Sequence, residues 1–107
     1  MTTITLEVPD ALANLPSKER ESLFQVGLWQ AIATKREQLK REIAEANEQI
    51  KGFSTRYGVS FARFERELLP NIESWQAHED YNDWFFLQSV LEEKESLLAN
   101  LPRLGFS

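Results

Sequence analysis

A long stretch without helix breakers is the feature that most constrains how this chain folds. From residue 17 to about residue 51 only Gly27 disfavours a helix, at a cost of roughly 1 kcal/mol relative to alanine. A continuous helix over these 35 residues would be about 52 Å long. A compact domain of this size has a radius of gyration of only about 13 Å. The helix therefore either breaks near Gly27 or projects as an arm, and both alternatives predict an extended molecule.

Two sets of residues recur at alternating spacings of three and four, the pattern of helices packed in a coiled coil. The first seam consists of Trp29, Ile32, Arg36, Leu39, Ile43, Ala46, Ile50, Phe53 and Tyr57, with Arg36 as a misfit. The second consists of Trp84, Leu87, Leu91, Lys94, Leu98 and Leu101. The second seam lies on a helix expected from about residue 79 or 80 to Asn100, which Pro102 ends.

The segment between the two seams contains several stop and start signals. Gly58 is expected to end the long helix, and Ser60 to cap a short helix that Pro70 closes. Residues 70–78 are interpreted as a linker that contains an isolated tryptophan, Trp75.

The N-terminal residues predict a strand. Residues 3–8 alternate polar and apolar side chains with a period of two, and Pro9 ends the run. No second convincing strand follows, so this strand must pair with a copy of itself or with another protein. Residues 10–15 are expected to form a short helical turn before Pro16, with Ser17 as the cap of the long helix. The residues expected to dimerise are Ile4, Leu6, Val8, Trp29 and Ile32.

The resulting fold class is mainly α. One short N-terminal strand pairs between chains, and a long helix and a C-terminal helical hairpin follow. We divide the chain into two parts. Residues 1–33 form the strand and first helical part and are expected to dimerise, with DNA binding as a further candidate role. Residues 34–107 form the long helix and the C-terminal helices and are expected to bind a partner.

The amino-acid composition excludes several kinds of catalytic and metal-binding site. The chain has no cysteine, one histidine (His78) and a net charge of −5, which leaves no disulfide, thiolate zinc site or cysteine nucleophile. The acidic cluster at residues 78–83 lacks the spacing of a calcium loop and suits a helix start. No apolar run approaches the roughly 20 residues of a membrane helix. We therefore expect a cytoplasmic protein that is not an enzyme and binds no cofactor, metal or membrane.

Charge and aromatic residues are unevenly distributed. Residues 34–69 carry a net charge of +2 and residues 70–107 a net charge of −5. Nine of the twelve aromatic residues lie between Phe53 and Phe86. This pattern is typical either of a surface that meets a basic protein or of an ordinary solvated acidic face. Trp75, Tyr81 and Trp84 are accordingly either anchors for a partner or core residues.

The predicted N-terminal strand is the one element through which this acidic chain could contact DNA. In ribbon-helix-helix proteins two N-terminal strands pair across a dimer and their outward side chains enter the major groove. Here those side chains would be Thr3, Thr5 and Glu7, and a glutamate beside phosphates is unfavourable.

Two stretches resemble bacterial antitoxins of type II toxin–antitoxin modules. Residues 4–13 (ITLEVPDALA) are similar to the opening of ribbon-helix-helix antitoxins, and residues 53–65 (FSTRYGVSFARFE), followed by residues 79–84 (EDYNDW), are similar to a toxin-binding half. The resemblance implies an N-terminal dimer that binds operator DNA and a C-terminal half that covers a toxin. It assigns toxin contact to Tyr57, Phe61, Phe64, Tyr81, Asp83 and Trp84, to which we add Trp75.

Two functions follow as hypotheses. The first is an antitoxin that dimerises, neutralises a basic toxin with its acidic, aromatic C-terminal half and regulates its own operon. The second is a structural coiled-coil or helical-hairpin adaptor, in which residues 29–57 and 84–101 pack antiparallel without a toxin or DNA partner.

Overall fold

A computed structural model of the chain describes Thr3 and residues 5–103, and this part is mainly helical. A short 3-10 helix, Asp10–Asn14, precedes the long helix α1, Ser17–Tyr57. The helical turn α2, Phe61–Arg63, continues as a π-helix, Phe64–Leu68, and a 3-10 helix, Leu69–Asn71. Helix α3, Trp75–Asn100, completes the fold. The radius of gyration is 21.6 Å and the principal extents are 69 × 29 × 22 Å, so the prediction of an extended molecule is confirmed.

Helix α1 runs without a break through Gly27 and through Gly52 to Tyr57. Phe53 and Tyr57 continue the seam beyond Gly52, and both pack against the core. Gly58 ends the helix as expected: its φ of 70° is in the left-handed region and its N–H donates to the carbonyl of Ser54. At the other end Pro16, and not Ser17, occupies the N-cap position.

The segment predicted as a linker is partly helical. Ser60 caps α2 by accepting a hydrogen bond from the backbone N–H of Arg63, as expected. Helix α3, however, begins at Trp75 and not at residue 79 or 80, because the Ser74 hydroxyl accepts from the backbone N–H of Ala77. The linker between the 3-10 helix and α3 is therefore only residues 72–74.

Helices α1 and α3 pack antiparallel along the two predicted seams. Leu39 and Ala46 of the first seam are buried, as is Trp84 of the second. From Ile32 to Tyr57, and from Trp84 to Leu101, every seam residue is buried or half-buried. At about 1.5 Å per residue the 41 residues of α1 span about 61 Å and the 26 residues of α3 about 39 Å. The N-terminal third of α1 therefore extends beyond α3.

The predicted N-terminal strand is not seen in the described residues. Thr3 and residues 5–9 have no regular secondary structure, and Leu6 and Val8 are exposed. A strand needs a second strand to satisfy its backbone groups, and the described part of a single chain offers none. Ile4 lies outside the described residues.

Candidate functional site: the hairpin core, the outer face of α3 and the arm

The aromatic residues predicted to bind a partner form a cluster at the closed end of the hairpin. The Tyr57 and Phe64 ring centroids are 4.4 Å apart, and the Trp84 ring lies 5.4 Å from Phe64 and 5.3 Å from Phe61. Phe64 and Trp84 have no exposed surface. Of the two interpretations left open for Trp84, its position is that of a core residue. A partner could reach Phe64 or Trp84 only if the hairpin opened.

Tyr81 lies at the rim of this cluster. Its ring stacks on Phe61 with a centroid distance of 5.6 Å, and its hydroxyl donates to Glu65 Oε2 at 2.5 Å. That hydrogen bond, together with burial, raises the pKa of the Tyr81 hydroxyl. Tyr81 thereby ties α3 to the π-helical segment and is only half-buried.

Asp80 is a charged residue within the core and was not among the predicted site residues. It is 3% exposed and accepts hydrogen bonds from Tyr57 Oη and Arg56 Nη1 to Oδ2, both at 2.6 Å, and from Gln76 Nε2 to Oδ1 at 2.9 Å. The second seam continues backwards from Trp84 by four and three residues to Asp80 and Ala77, both of which are buried. Extending the second seam towards the N-terminus would have predicted a buried Asp80. The acidic residues around Asp80 led instead to the prediction of a solvent-exposed helix start.

The surroundings of Asp80 keep its carboxylate charged. Burial alone would raise the pKa of Asp80, but the hydrogen bonds from Tyr57, Gln76 and Arg56 outweigh burial and lower it. The pKa of Tyr57 is raised, first by burial and then by the hydrogen bond to Asp80. The hydrogen bonds from Tyr57 and Arg56 to Asp80 thus hold the start of α3 against the end of α1, and Gln76 donates to the second oxygen of the same carboxylate.

Two further polar positions of the seams are satisfied in the same way. Arg36 Nη1 donates to the carbonyls of Leu98 and Leu101, both at 3.3 Å, and so caps the C-terminus of α3. Lys94 pairs with Glu42, and this hydrogen bond is the main reason why the pKa of Glu42 is lowered. With Asp80, these contacts fix one alignment of the two helices at three levels.

The outer face of α3 carries exposed aromatic and acidic residues. Trp75 and Phe86 are 75% and 65% exposed, and Asp83 is also exposed. With 3.6 residues per turn, Trp75 and Phe86 lie on the side of α3 opposite the buried Trp84, together with Glu79 and Glu93. The structure therefore leaves Trp75 and Asp83, of the predicted partner-binding set, on the surface.

The projecting part of α1, which we call the arm, comprises residues 17–31. Every residue of the arm except Arg20 is exposed, including Leu23, Phe24, Val26, Leu28 and Trp29. Of the predicted dimerisation residues on α1, Trp29 lies on the arm and Ile32 is half-buried where the arm leaves the hairpin. An open groove of about 540 Å³ at this step has Ile32, Arg36 and Leu98 among its walls.

From Ser22 onward the arm carries apolar side chains on two opposite sides of the helix. Residues 22–34 contain no Asp, Glu, Lys or Arg. At 100° per residue, Phe24, Leu28 and Ile32 lie on the side of α1 that faces α3 further along, and Leu23 and Val26 lie on the opposite side. A surface helix normally carries its apolar side chains on one side only.

Further expectations concern DNA, metal and membrane. Thr3 and Thr5, the candidate DNA contacts, are exposed, but the described residues around them contribute no basic side chain before Lys18. In the described part of the chain no three His, Asp or Glu side chains form a group that could hold a metal ion. Among the described helices, none is both long enough and apolar enough to cross a membrane.

Comparison with protein-family models, with curated proteins and with solved structures found no match to this chain.

Proposed function

We propose that this chain is a helical-hairpin adaptor, an interaction protein without catalytic activity, whose hairpin holds the arm out for binding by another protein chain. The observation that carries the proposal is the division of α1. Its C-terminal part buries its seam on α3, whereas the arm leaves five large apolar side chains exposed, Leu23, Phe24, Val26, Leu28 and Trp29.

The hairpin has what a stable scaffold requires. It has its own core around Phe64 and Trp84, and the polar groups of Asp80, Arg36 and Lys94 are paired across the two helices. Buried polar groups that are fully paired specify one arrangement of a core. None of these contacts involves the arm, so the hairpin does not depend on it.

The arm has a thermodynamic reason to bind. Fully burying a large apolar side chain is worth about 1.5–3 kcal/mol, so covering the five half-exposed side chains of the arm gives about 1 kcal/mol each. The total of about 5 kcal/mol is at the low end of the cost of association. A partner that contributes an equal apolar area brings the gain to about 10 kcal/mol. The proposal therefore requires an apolar partner surface and not a charged one.

A deletion tests the proposal. A chain of residues 34–107 is expected to keep the helicity of the hairpin and the buried emission of Trp84, because it retains the cross-helix contacts of Arg36, Arg56 and Lys94. It is also expected to lose the association shown by the full chain. If residues 34–107 do not fold, the hairpin is not an independent scaffold and the proposal is wrong.

Toxin neutralisation remains a second candidate, favoured by the exposed acidic and aromatic outer face of α3. In this form the antitoxin would bind a basic toxin through Trp75, Asp83 and Phe86, with the hairpin intact. Co-expression with the product of the adjacent gene should then give a complex on gel filtration, and Trp75→Ala with Phe86→Ala should weaken it while leaving Trp84 buried. A cytoplasmic location, operator binding through Thr3 and Thr5, and strand pairing through Ile4, Leu6 and Val8 are parts of this second candidate.

An unchanged complex after these two substitutions, or a neighbouring gene product that forms no complex, would argue against this candidate. Deleting residues 70–107 distinguishes the two functions. The adaptor loses its fold, because α3 supplies half of the hairpin, whereas an antitoxin that dimerises through its N-terminal part loses neutralisation and keeps its dimer.

A further inference from the structure

We propose that the occupant of the arm is the arm of a second copy of this chain, lying antiparallel to the first. This inference rests on the proposed function and names its partner. It follows from the symmetry of the arm, from the charges at its two ends and from the area that has to be covered.

The charges around the arm favour an antiparallel pair. The uncharged run of residues 22–34 is centred on Leu28 and bounded by Glu21 and Lys35. Residues 5–21 carry a net charge of −2 and residues 34–41 a net charge of +3. Antiparallel pairing about Leu28 brings Glu21 of each copy beside Lys35 of the other. Parallel pairing would place each group beside its own like charge, which is unfavourable.

The arm of a second copy would run in the same direction as α3. Helix α3 runs antiparallel to α1 and ends at Asn100, where the groove beside Ile32 and Leu98 opens. An arm from a second copy is also antiparallel to α1, so it extends the line of α3 along the exposed part of α1. Each α1 would then pack on its own α3 in one part and on a second copy in the other.

The area indicates two such pairs. The 15-residue arm is about 22 Å long and about 11 Å across, which gives about 750 Å² of lateral surface. If each of two arms loses half of this surface, about 750 Å² is buried in total, which is below the roughly 1,200 Å² of specific interfaces. Four arms that each lose about two thirds of this surface bury about 2,000 Å² in total, which is within the range of specific interfaces. We therefore expect two antiparallel pairs in a tetramer.

Light scattering on the purified full chain tests the pairing. The chain has a mass of 12.4 kDa, and at tens of micromolar we expect a mass of four chains. A mass of two chains also supports the antiparallel pair. A mass of one or of three chains contradicts it, because antiparallel pairs of identical arms give even numbers.

Two variants locate the contact. Leu28→Glu places a charge at the centre of the arm, where the side chain is 58% exposed and supports no contact within the hairpin. It should weaken association at least about tenfold without changing helicity. Phe86→Glu is the matched control, since it adds the same charge at a side chain that is 65% exposed on α3. It should leave the assembly intact. If Phe86→Glu dissolves the assembly and Leu28→Glu does not, the interface is on α3 and the proposal is wrong.

Cysteine cross-linking tests the direction. The chain has no cysteine, so chains with Glu21→Cys and chains with Lys35→Cys can form disulfides only through the introduced thiols. On oxidation of an equal mixture we expect almost only the mixed 21–35 disulfide, well above the twofold excess over each like pair that random pairing gives, because a disulfide needs Cα atoms within about 7 Å. An excess of 21–21 and 35–35 pairs would show a parallel arrangement and overturn the proposal.

Failure of this inference and failure of the proposed function give different results. A monomeric full chain with a folded hairpin excludes a second copy as the occupant but keeps the adaptor, whose arm then serves another apolar partner. A hairpin that is unfolded in the chain of residues 34–107 removes the adaptor itself.

Discussion

Replacing Asp80 by asparagine tests how the hairpin is held in one alignment. Asparagine has nearly the same volume, but it carries no charge and one carbonyl oxygen. The oxygen can keep the position that accepts from Tyr57 and Arg56, and the amide N–H₂ group can donate to Gln76 once the Gln76 amide has turned round. The hydrogen bonds with Tyr57 and Gln76 then change from charged to neutral ones.

The structure gives a magnitude for this change. Hydrogen bonds to charged groups contribute about 1.5–3 kcal/mol and neutral ones about 0.5–1.5 kcal/mol. Weakening the hydrogen bonds with Gln76 and Tyr57 in this way therefore costs about 1 kcal/mol each, or about 2 kcal/mol in total. We assign no energy to Arg56, whose side chain is 59% exposed. For a domain of this size, 2 kcal/mol lowers the melting temperature by about 8–16 °C.

The loss should depend on pH in a defined direction. The folded-state pKa of Asp80 is lowered, so the unfolded chain binds a proton at this position more readily than the folded chain does. The contribution of the carboxylate is then complete above the unfolded-state pKa of about 4 and is lost as the pH falls through the folded-state pKa. The stability difference between wild type and Asp80→Asn should therefore shrink between about pH 5 and pH 2.

Urea unfolding followed by circular dichroism at several pH values measures both effects. Asp83→Asn is the control, because it removes an exposed carboxylate from the same helix and should change stability by less than about 0.5 kcal/mol. If Asp80→Asn is as mild as this control, or if its effect is constant down to pH 2, the carboxylate does not hold the hairpin as described.

Three further predictions concern the hairpin. Trp84→Ala removes a side chain with no exposed surface and should lower the free energy of unfolding by about 3–5 kcal/mol. Trp84→Phe should lower it by less, since phenylalanine keeps most of the ring and removes a buried N–H that has no hydrogen-bond partner. Thermal denaturation compares the two variants. Gly58→Ala should destabilise by about 1 kcal/mol because φ is 70°, whereas Gly52→Ala, within α1, should stabilise by up to about 1 kcal/mol; equal effects would contradict the reasoning. Arg36→Met should speed amide exchange at residues 98–101, since α3 loses its cap, and unchanged exchange there would show that the cap is unimportant.

The sequence allowed the two packing faces to be predicted, but not what holds them. The alternating spacing identified both seams from Ile32 to Tyr57 and from Trp84 to Leu101, because that period follows from helix geometry alone. It could not show whether Arg36 and Lys94 were misfits or paired groups. Their partners, the end of α3 and Glu42, are more than 50 residues away in the chain.

Other features depended on interactions that local patterns do not contain. The start of α3 was missed because Trp75 and its neighbours resemble a linker, although Ser74 is a good capping residue. The period-two pattern of residues 3–8 is typical of a strand, yet a strand also needs a neighbour. Whether the aromatic residues were anchors or core depended on the turn between α1 and α3, which brings Phe61 and Phe64 onto Trp84.

The central claim is that the hairpin is complete in itself and that the arm depends on a partner chain. Hydrogen–deuterium exchange on the full chain over a wide range of concentrations tests this most directly. We expect the amides of residues 36–57 and 77–98 to be protected equally at every concentration, and those of residues 17–31 to lose protection on dilution. If the hairpin amides lose protection together with the arm, or if the arm stays protected at the lowest concentration, the account is contradicted.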